Sequence, residues 1–365
     1  MRIAVVRRAY GGVGGAELYT ERLISSLSGD GHEVSLLSGA SACALPGKTK
    51  FIQLQIPHGR SARVRGFSEA VKQWRADNSV DCVFSLERIE GCDVLRAGDG
   101  LHSVWLDKWR KYAPWWKKWR VGLGAFHNEM LLLEKKAFDP NFCRRIIVNS
   151  QMVKNDILSR TSFPAQLIHL VRNGVDVQRF QNSKERDSLR RQLGLSLEDY
   201  ILLFIGSGWE RKGLYYVIEA MRKLGPSYKL IVAGKGRPPF FCPNNVSFLG
   251  SITNPEHLFA AADLMVFPPI YEPSSNVVFE SLAAGLPVIT SKDNGAHEII
   301  REGLDGMVVH NPADITTLAK AIVNWRKTHG DERVRIEFDT SMDRNVKETL
   351  EVINLTLEDK KLIRS

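Results

Sequence analysis

With 365 residues, 44% of them hydrophobic and 25% charged, the chain has the length for two domains with real cores and the composition of an ordinary globular protein, not of a disordered or fibrous one. A formal net charge of +9 and a pI of about 9.3 point to an anionic partner: nucleic acid, an anionic membrane or a phosphorylated ligand. No apolar run approaches the roughly 20 residues of a bilayer span, and the apolar stretch in MRIAVVRRAY is too short for a signal peptide, so neither a transmembrane helix nor a leader is expected. The five cysteines (Cys43, Cys82, Cys92, Cys143, Cys242) are scattered and lack any CxxC pair, which suits free thiols in a reducing compartment.

Ile3-Ala4-Val5-Val6 reads as a first buried strand, followed by Gly11-Gly12-Val13-Gly14-Gly15 and a helix with Leu18, Leu23, Ile24 and Leu27 in its apolar positions. A glycine loop between strand and helix lets the backbone approach a phosphate; a purely structural turn is the alternative. It fits a dinucleotide poorly, because GxGxxG spacing would need glycine where Glu17 stands, and the next strand, 34–37, ends in Ser38-Gly39 with no acid for a ribose. Strands are expected at 51–54 and 81–85, with a helix at 67–77. The run 94–100 is a short strand ending in a polar turn. Asp99 and His102 then sit at a strand's carboxyl end, where open α/β sheets bind ligands; either could be a base, and either could be a turn or cap residue.

Residues 105–123 hold five of the eight tryptophans, Trp105, Trp109, Trp115, Trp116 and Trp119. Lys108, Arg110, Lys111, Lys117, Lys118 and Arg120 accompany them, and Asp107 is the only acid. At about 100° per residue, Trp105, Trp109, Tyr112, Trp116 and Trp119 share one stripe, with Arg110, Lys111, Lys117 and Lys118 opposite. Aromatic amphipathic helices of this kind lie in a membrane interface. Pro114 favours two short segments with a kink. A core-facing stripe and a nucleic-acid surface are the alternatives, and the localised charge and lack of a nucleic-acid motif weigh against the second.

A helix at 128–138, a strand at 145–150, a helix at 151–160 capped by Ser150 and a strand at 167–171 complete the first half. Asn173-Gly174-Val175-Asp176 is a turn, and 181–187 is polar. The alternation then restarts with a strand at 200–205, the loop Gly206 to Gly213 carrying Arg211 and Lys212, a helix at 214–224, and a strand at 228–233 ending in Gly234-Lys235-Gly236. Arg and Lys at a helix start suit a diphosphate, Arg by its bidentate fork and Lys as a point charge; solvated surface cations are the plain alternative. After a strand at 246–250, a helix at 254–262 and a strand at 264–268 comes YEPSSNVVFESLAAGLPVI, residues 271–289. It puts Glu272 in a loop, Ser275 and Asn276 near a helix start, and Glu280 about one turn in. A helix start offers N–H groups to an anion or sugar oxygens, and a carboxylate there can accept from a diol. Otherwise Glu280 complements the helix dipole and Glu272 is a solvated loop residue. Strands at 287–290 and 306–309, a helix at 315–327 and a helical tail at 345–363 finish the chain.

Two runs of β–α alternation joined by a turn-rich segment imply an α/β protein of two facing, Rossmann-like, doubly wound parallel-sheet domains with a ligand in the cleft. The expected boundaries are 1–172, with 103–123 turned to a membrane, 173–340, and a C-terminal helix 341–365 that packs back on the first domain.

Gly14-Gly15, Asn173-Gly174-Val175-Asp176, Arg211-Lys212 and Glu272-x7-Glu280 together resemble the family-4 retaining glycosyltransferases of the GT-B fold, over nearly the whole chain. Gly206 to Gly213, Ala261-Ala262-Asp263-Leu264 and the basic aromatic segment after Asp99 are similar to members that glucosylate the heptose region of lipopolysaccharide core, with tryptophans here where those carry tyrosines. The resemblance implies a hexosyltransferase that takes UDP-glucose as donor and a glycolipid as acceptor, works at an anionic membrane surface and binds no nucleic acid. It implies a cytoplasmic enzyme, peripheral on the inner face of the bacterial inner membrane. No metal or other cofactor is expected, since no DxD motif precedes the site. Glu280 would hold the ribose and Glu272 the sugar hydroxyls; Ser275, Asn276, Val277 and Asn173 would meet donor oxygens. Arg211 and Lys212 would carry the diphosphate, Gly14 and Gly15 would approach it from the other domain, and Lys235 would lie near the base. Asp99 falls at the acceptor side, with His102 as the competing choice; Asp99, Glu272, Arg211 and Lys212 form the implied catalytic set. Trp105, Trp109, Lys111, Trp116, Lys117, Lys118 and Trp119 would face the membrane. A soluble acceptor, or a membrane or nucleic-acid binder without chemistry, are the alternatives.

Overall fold

The computed structural model describes residues 1–10, 15–40, 45, 48–181, 186–335, 337 and 339–364. It divides the chain into two units, Met1–Arg172 with Met342–Ser365, and Asn173–Ser341. Unit 1 contains β1 (Arg2–Val6), β2 (Glu33–Ser38), β3 (Lys50–Gln53), β4 (Cys82–Ser85), β5 (Cys92–Arg96), β6 (Cys143–Val148) and β7 (Ile168–Leu170). They form one seven-stranded sheet, parallel at every pairing, in the order β3-β2-β1-β4-β5-β6-β7. Helices α1 (Gly15–Gly29), α2 (Arg60–Asp77), α3 (His102–Tyr112), α4 (Trp115–Lys118), α5 (Ala125–Ala137) and α6 (Gln151–Arg160) connect them. The strands are short and apolar because a parallel sheet is covered on both faces; Ile3, Val5, Val34, Leu36 and Phe84 are buried against Leu23, Ile24 and Leu27 of α1. Ser150 caps α6, its Oγ accepting from Val153 N at 3.2 Å. Helix α2 starts seven residues before the expected Phe67, directly after Gly59, whose φ of 93° cannot continue a helix backwards.

Unit 2 contains β8 (Tyr200–Ile205), β9 (Tyr228–Ala233), β10 (Val246–Gly250), β11 (Leu264–Phe267), β12 (Val288–Ser291) and β13 (Gly306–Val309), in the order β10-β9-β8-β11-β12-β13 and again all parallel. Its helices are α7 (Val177–Gln181), α8 (Arg186–Gln192), α9 (Trp209–Lys212), α10 (Leu214–Met221), α11 (Pro255–Ala261), α12 (Asn276–Ala283) and α13 (Ile315–His329). Helices α7 and α8 lie where the sequence reads only as turn and polar linker. Each is one to two turns long, too short to show a period, yet Phe180 and Leu189 are buried. The last helix, α14 (Met342–Arg364), returns to unit 1, where it packs on α1, β4, β5 and β6.

Each unit is pinned by one buried aspartate. In unit 1, Asp93 accepts from Val83 N at 2.8 Å and from Arg75 Nη2 at 3.1 Å, and Lys360 of α14 reaches it at 3.2 Å. In unit 2, Asp263 accepts from Ile201 N at 2.6 Å and Arg190 Nη2 at 2.5 Å, with Arg186 also bonded to it. Arg190, only 2% exposed, spends its other donors on the carbonyls of Ala261, Leu197 and Asp199. A buried pair of this kind is costly to break because the survivor is left charged and dry. Asp263→Ala is expected to lower the unfolding free energy by about 3–5 kcal/mol in urea titration; a loss under about 1 kcal/mol would show that the pair does not hold β8 to β11.

Candidate functional site

In unit 2 the strand order reverses between β8 and β11, and loops at the carboxyl ends of strands form a ligand-binding crevice at such a reversal. The loops after these two strands are stitched together. Ile270 N donates to Arg211 O at 2.9 Å, and a Cβ on Gly213 would stand 1.9 Å from Pro268 O. Gly213 also has a φ of 78°, so both contact and conformation demand glycine there.

Arg211 and Lys212 lie in the one-turn helix α9. Arg211 Nη2 is 3.1 Å from Glu272 Oε2, close enough to attract but not aligned as a hydrogen bond. Glu272 Oε2 and Ser274 Oγ are therefore buried without a hydrogen-bond partner among the described residues. Lys212 is half-buried, and that burial lowers its pKa; Glu272 and Glu280 oppose the effect and Arg211 adds to it. The backbone of Glu272 is fixed by Asp293 O at 2.9 Å and Gly295 N at 2.8 Å. Asn294, fully buried, accepts from Ser275 N at 3.2 Å and Ala296 N at 3.2 Å and donates to Thr290 Oγ1 at 3.0 Å. Asn173 Nδ2 donates to Ser274 O at 3.0 Å and to Asn276 Oδ1 at 2.7 Å, so it holds the start of α12.

Glu280 is the fifth residue of α12, about one turn in, as the spacing predicts. The dipole argument loses its force there. Burial pushes its pKa up to about 7, against the pull of Arg179 and Lys212, with Glu256 adding to the rise. Arg179 and Glu256 form an ion pair of 2.8 Å and are neighbours that the sequence reading missed, because they are 77 residues apart on helices with no joint motif. Asn294 was missed too, as an ordinary polar residue in a turn. Val277 is half-buried on the first turn of α12; Lys235 is exposed, its N–H donating to Ser207 Oγ at 2.9 Å. Two carboxylates, two cations and unsatisfied buried oxygens suit a ligand that is both hydroxylated and anionic.

In unit 1, Gly14 lies outside the described residues, as does Cys43; Gly15 begins α1. Asp99 is exposed in the turn between β5 and α3. His102, the first residue of α3, is buried, and its Nε2 is 2.9 Å from His127 Nδ1. Burial lowers its pKa to about 4, with Arg88, His127 and Arg60 contributing, so it is neutral at pH 7. The N–H groups of His102 and Ser103 both donate to the Glu134 carboxylate, a cap supplied from α5 that the sequence does not advertise.

The tryptophan stripe breaks in two. Helix α3 ends at Tyr112, Ala113 is extended and Pro114 precedes the one-turn α4, so a single 105–119 helical face does not form. Trp105 and Trp109 stack at 5.6 Å and pack on Leu106, Ala113 and Val121. Trp115, Trp116 and Trp119 are 79%, 56% and 64% exposed, beside exposed Lys117, Lys118 and Arg120; Lys111 is exposed at the end of α3. Among the described residues no helix is long and apolar enough to cross a membrane.

A carboxyl whose pKa is raised on folding keeps its proton longer in the folded state, so stability falls as pH climbs from about 4.5 through about 7. Glu280→Gln is expected to melt above wild type near pH 8 and level with it near pH 4. Thermal melts at both values check this; one offset at both would place Glu280 in the ordinary range.

A family model described as "Glycosyl transferases group 1" matches residues 185–337, and one described as "Glycosyltransferase Family 4" matches residues 13–179. Lipopolysaccharide glucosyltransferase WaaG of Escherichia coli K12 is 24% identical over 331 residues, 86% of this chain and 86% of that protein. The uncharacterized glycosyltransferase MJ1607 of Methanocaldococcus jannaschii is 27% identical over 236 residues, which cover 59% of this chain and 60% of that protein. A crystal structure of WaaG, a glycosyltransferase involved in lipopolysaccharide biosynthesis, matches at a TM-score of 0.77 and 20% identity, covering 96% of this chain and 95% of that one. Anabaena Alr3699/HepE in complex with UDP and glucose matches at 0.66 and 18%, covering 100% and 99%. The two family models, one on each unit, and the fold shared with these structures show that the chain belongs to the group 1/family 4 glycosyltransferases and has their GT-B fold.

Proposed function

We propose that the chain transfers glucose from UDP-glucose, with retention of anomeric configuration, to a membrane-anchored glycolipid such as the heptose region of lipopolysaccharide core. The observation that carries this reading is the group at the β8/β11 reversal: Glu272 and Glu280 with Arg211 and Lys212. Glu280 takes the ribose hydroxyls. Glu272 Oε2 and Ser274 Oγ, both buried without a hydrogen-bond partner among the described residues, take sugar hydroxyls. Ser275 N is already given to Asn294, so the N–H groups of Asn276 and Val277 are the donors at the start of α12. Lys235 is assigned to the base.

As the anomeric bond stretches, negative charge collects on the departing diphosphate, and Arg211 and Lys212 stabilise it. These two cations supply the charge a metal would otherwise bring, so the reading needs no metal. The acceptor hydroxyl attacks from the face the diphosphate leaves, through an oxocarbenium-like state. Its proton passes to the departing phosphate oxygen, and no protein nucleophile takes part. Asp99 and His102 are the candidates for orienting that hydroxyl.

The donor assignment draws on the HepE complex with UDP and glucose, and the acceptor on the likeness to WaaG. Trp115, Trp116 and Trp119, exposed among lysines, suit an anionic membrane interface, which fits an enzyme peripheral on the inner face of a bacterial inner membrane. A soluble acceptor is favoured only by Trp105 and Trp109, which pack inward.

Incubation with UDP-[14C]glucose and heptose-terminated lipopolysaccharide in anionic vesicles tests both halves. Label is expected in the glycolipid in α linkage, and vesicle flotation is expected to fail for a Trp115/Trp116/Trp119→Ser variant. An inverted linkage, or no label from any nucleotide sugar, would contradict the chemistry; unchanged flotation would remove the membrane.

A further inference from the structure

The carboxyl end of the sheet in unit 1 carries charge that the reaction above leaves unused. Arg60 opens α2, and its guanidinium lies 3.8 Å from the centroid of the Phe126 ring. Stacking occupies the face of a guanidinium and leaves its in-plane N–H donors available. Arg88, in the loop after β4, spends one nitrogen, Nη2, on Gly100 O at 2.5 Å and Asp99 O at 3.3 Å. Other arginines of this end have acids: Arg8 pairs with Glu87 at 3.5 Å and Arg7 with Glu17 at 3.1 Å. Among the described residues no ion pair serves Arg60 or Arg88. Asp99 is exposed and acts on Glu87, whose pKa burial raises, and the Glu134 carboxylate is taken up by the N–H groups of His102 and Ser103.

Arg60 acts on both His102 and His127, and Arg88 acts on His102. The two histidine rings stack at 5.2 Å and share the hydrogen bond described above. Phe126 joins the group edge-on to both, 6.1 Å from His102 and 5.4 Å from His127. Burial comes first in holding down the pKa of each histidine; Arg88 and Arg60 add to it at His102, and Arg60 at His127. The pair is neutral at pH 7 and offers hydrogen bonding without charge. The N-terminus of α3 is not the attraction here, because Glu134 already takes its first N–H groups.

Two guanidiniums that form no ion pair among the described residues, beside a neutral imidazole pair, leave positive charge that an anion would relieve. A phosphate monoester matches it in charge, about −1.5 to −2, and in having several strong acceptor oxygens for a guanidinium fork. We propose that Arg60 and Arg88, flanking the His102–His127 pair, take a phosphate group carried by the acceptor, so that the acceptor is a phosphorylated glycan or glycolipid. The proposal rests on the reading of the chain as a glycosyltransferase.

The test uses the full chain with labelled histidines, followed by NMR while inorganic phosphate is added at constant ionic strength. An anion beside His102 favours its charged form, so its titration midpoint is expected to rise by about one pH unit or more with phosphate. The same ionic strength in chloride should not produce the rise, and an Arg60→Gln/Arg88→Gln variant should lose it. The melting temperature of that variant, and its shift with UDP, report that it is folded and competent for donor. With a working transfer assay, removing the acceptor's phosphates should raise KM by about tenfold, the equivalent of roughly 1.4 kcal/mol. An equal rise in chloride, a rise kept by the double variant, an unchanged KM, or displacement of phosphate by UDP would overturn the inference. In a chain that binds UDP-glucose, such a result sinks this inference alone. A chain that binds no nucleotide sugar sinks the glycosyltransferase reading on which it rests.

Discussion

The reversal of strand order between β8 and β11 is the constraint on which the donor end of unit 2 depends. Once strands far apart in sequence become neighbours, their following loops must share one crevice, and every group in it must fit both. Gly213 shows how tight that is, since its Cα faces the carbonyl of Pro268 and admits no side chain. The bond from Ile270 to Arg211 and the approach of Arg211 to Glu272 follow from the same closeness. The cations come from the segment after β8 and the carboxylates from the segment after β11, and only the topology brings them together.

The two kinds of buried charge in this molecule behave differently. Asp263 and Arg190 are saturated by hydrogen bonds and by each other, which is how a buried ion pair becomes tolerable. Asp93 serves unit 1 in the same way and ties α14 to it through Lys360. Glu272, Glu280 and Lys212 are not saturated. One carboxylate oxygen lacks a hydrogen bond among the described residues, Glu280 is held toward its protonated form, and the lysine is pressed toward neutrality by its burial. Cost without local compensation is what a binding site carries before its ligand arrives. The same contrast in unit 1 sets Arg8, which has its acid, apart from Arg60 and Arg88, which form no ion pair among the described residues.

Much of the fold was legible because parallel strands buried on both faces are written as short continuous apolar runs. Tyr200–Ile205, Tyr228–Ala233 and Gly306–Val309 begin and end where the sequence says. Helices α7 and α8 were illegible, being too short to show a period. The break that Pro114 announces is where the sequence puts it, but the helical wheel drawn across it assumed one unbroken helix and so put Trp105, Trp109, Trp116 and Trp119 on one face. Two tryptophans then face inward and three outward. At the site, Glu272, Glu280, Arg211 and Lys212 could be picked out by type and spacing. The contacts that tune them, Arg179 with Glu256 and the buried Asn294, are tertiary and carry no motif. The cap that Glu134 places on α3 is hidden likewise, arriving from a helix more than 30 residues away.

The central claim is that the group at the β8/β11 reversal binds a nucleoside diphosphate sugar. Calorimetric titration of UDP-glucose into the wild-type chain, Arg211→Ala and Glu280→Gln tests it most directly. Each variant removes a charged hydrogen-bonding group, so wild type is predicted to bind and each variant to bind roughly tenfold or more weakly. Wild-type affinity in both variants, or no heat with UDP-glucose or any other nucleotide sugar, would contradict the account.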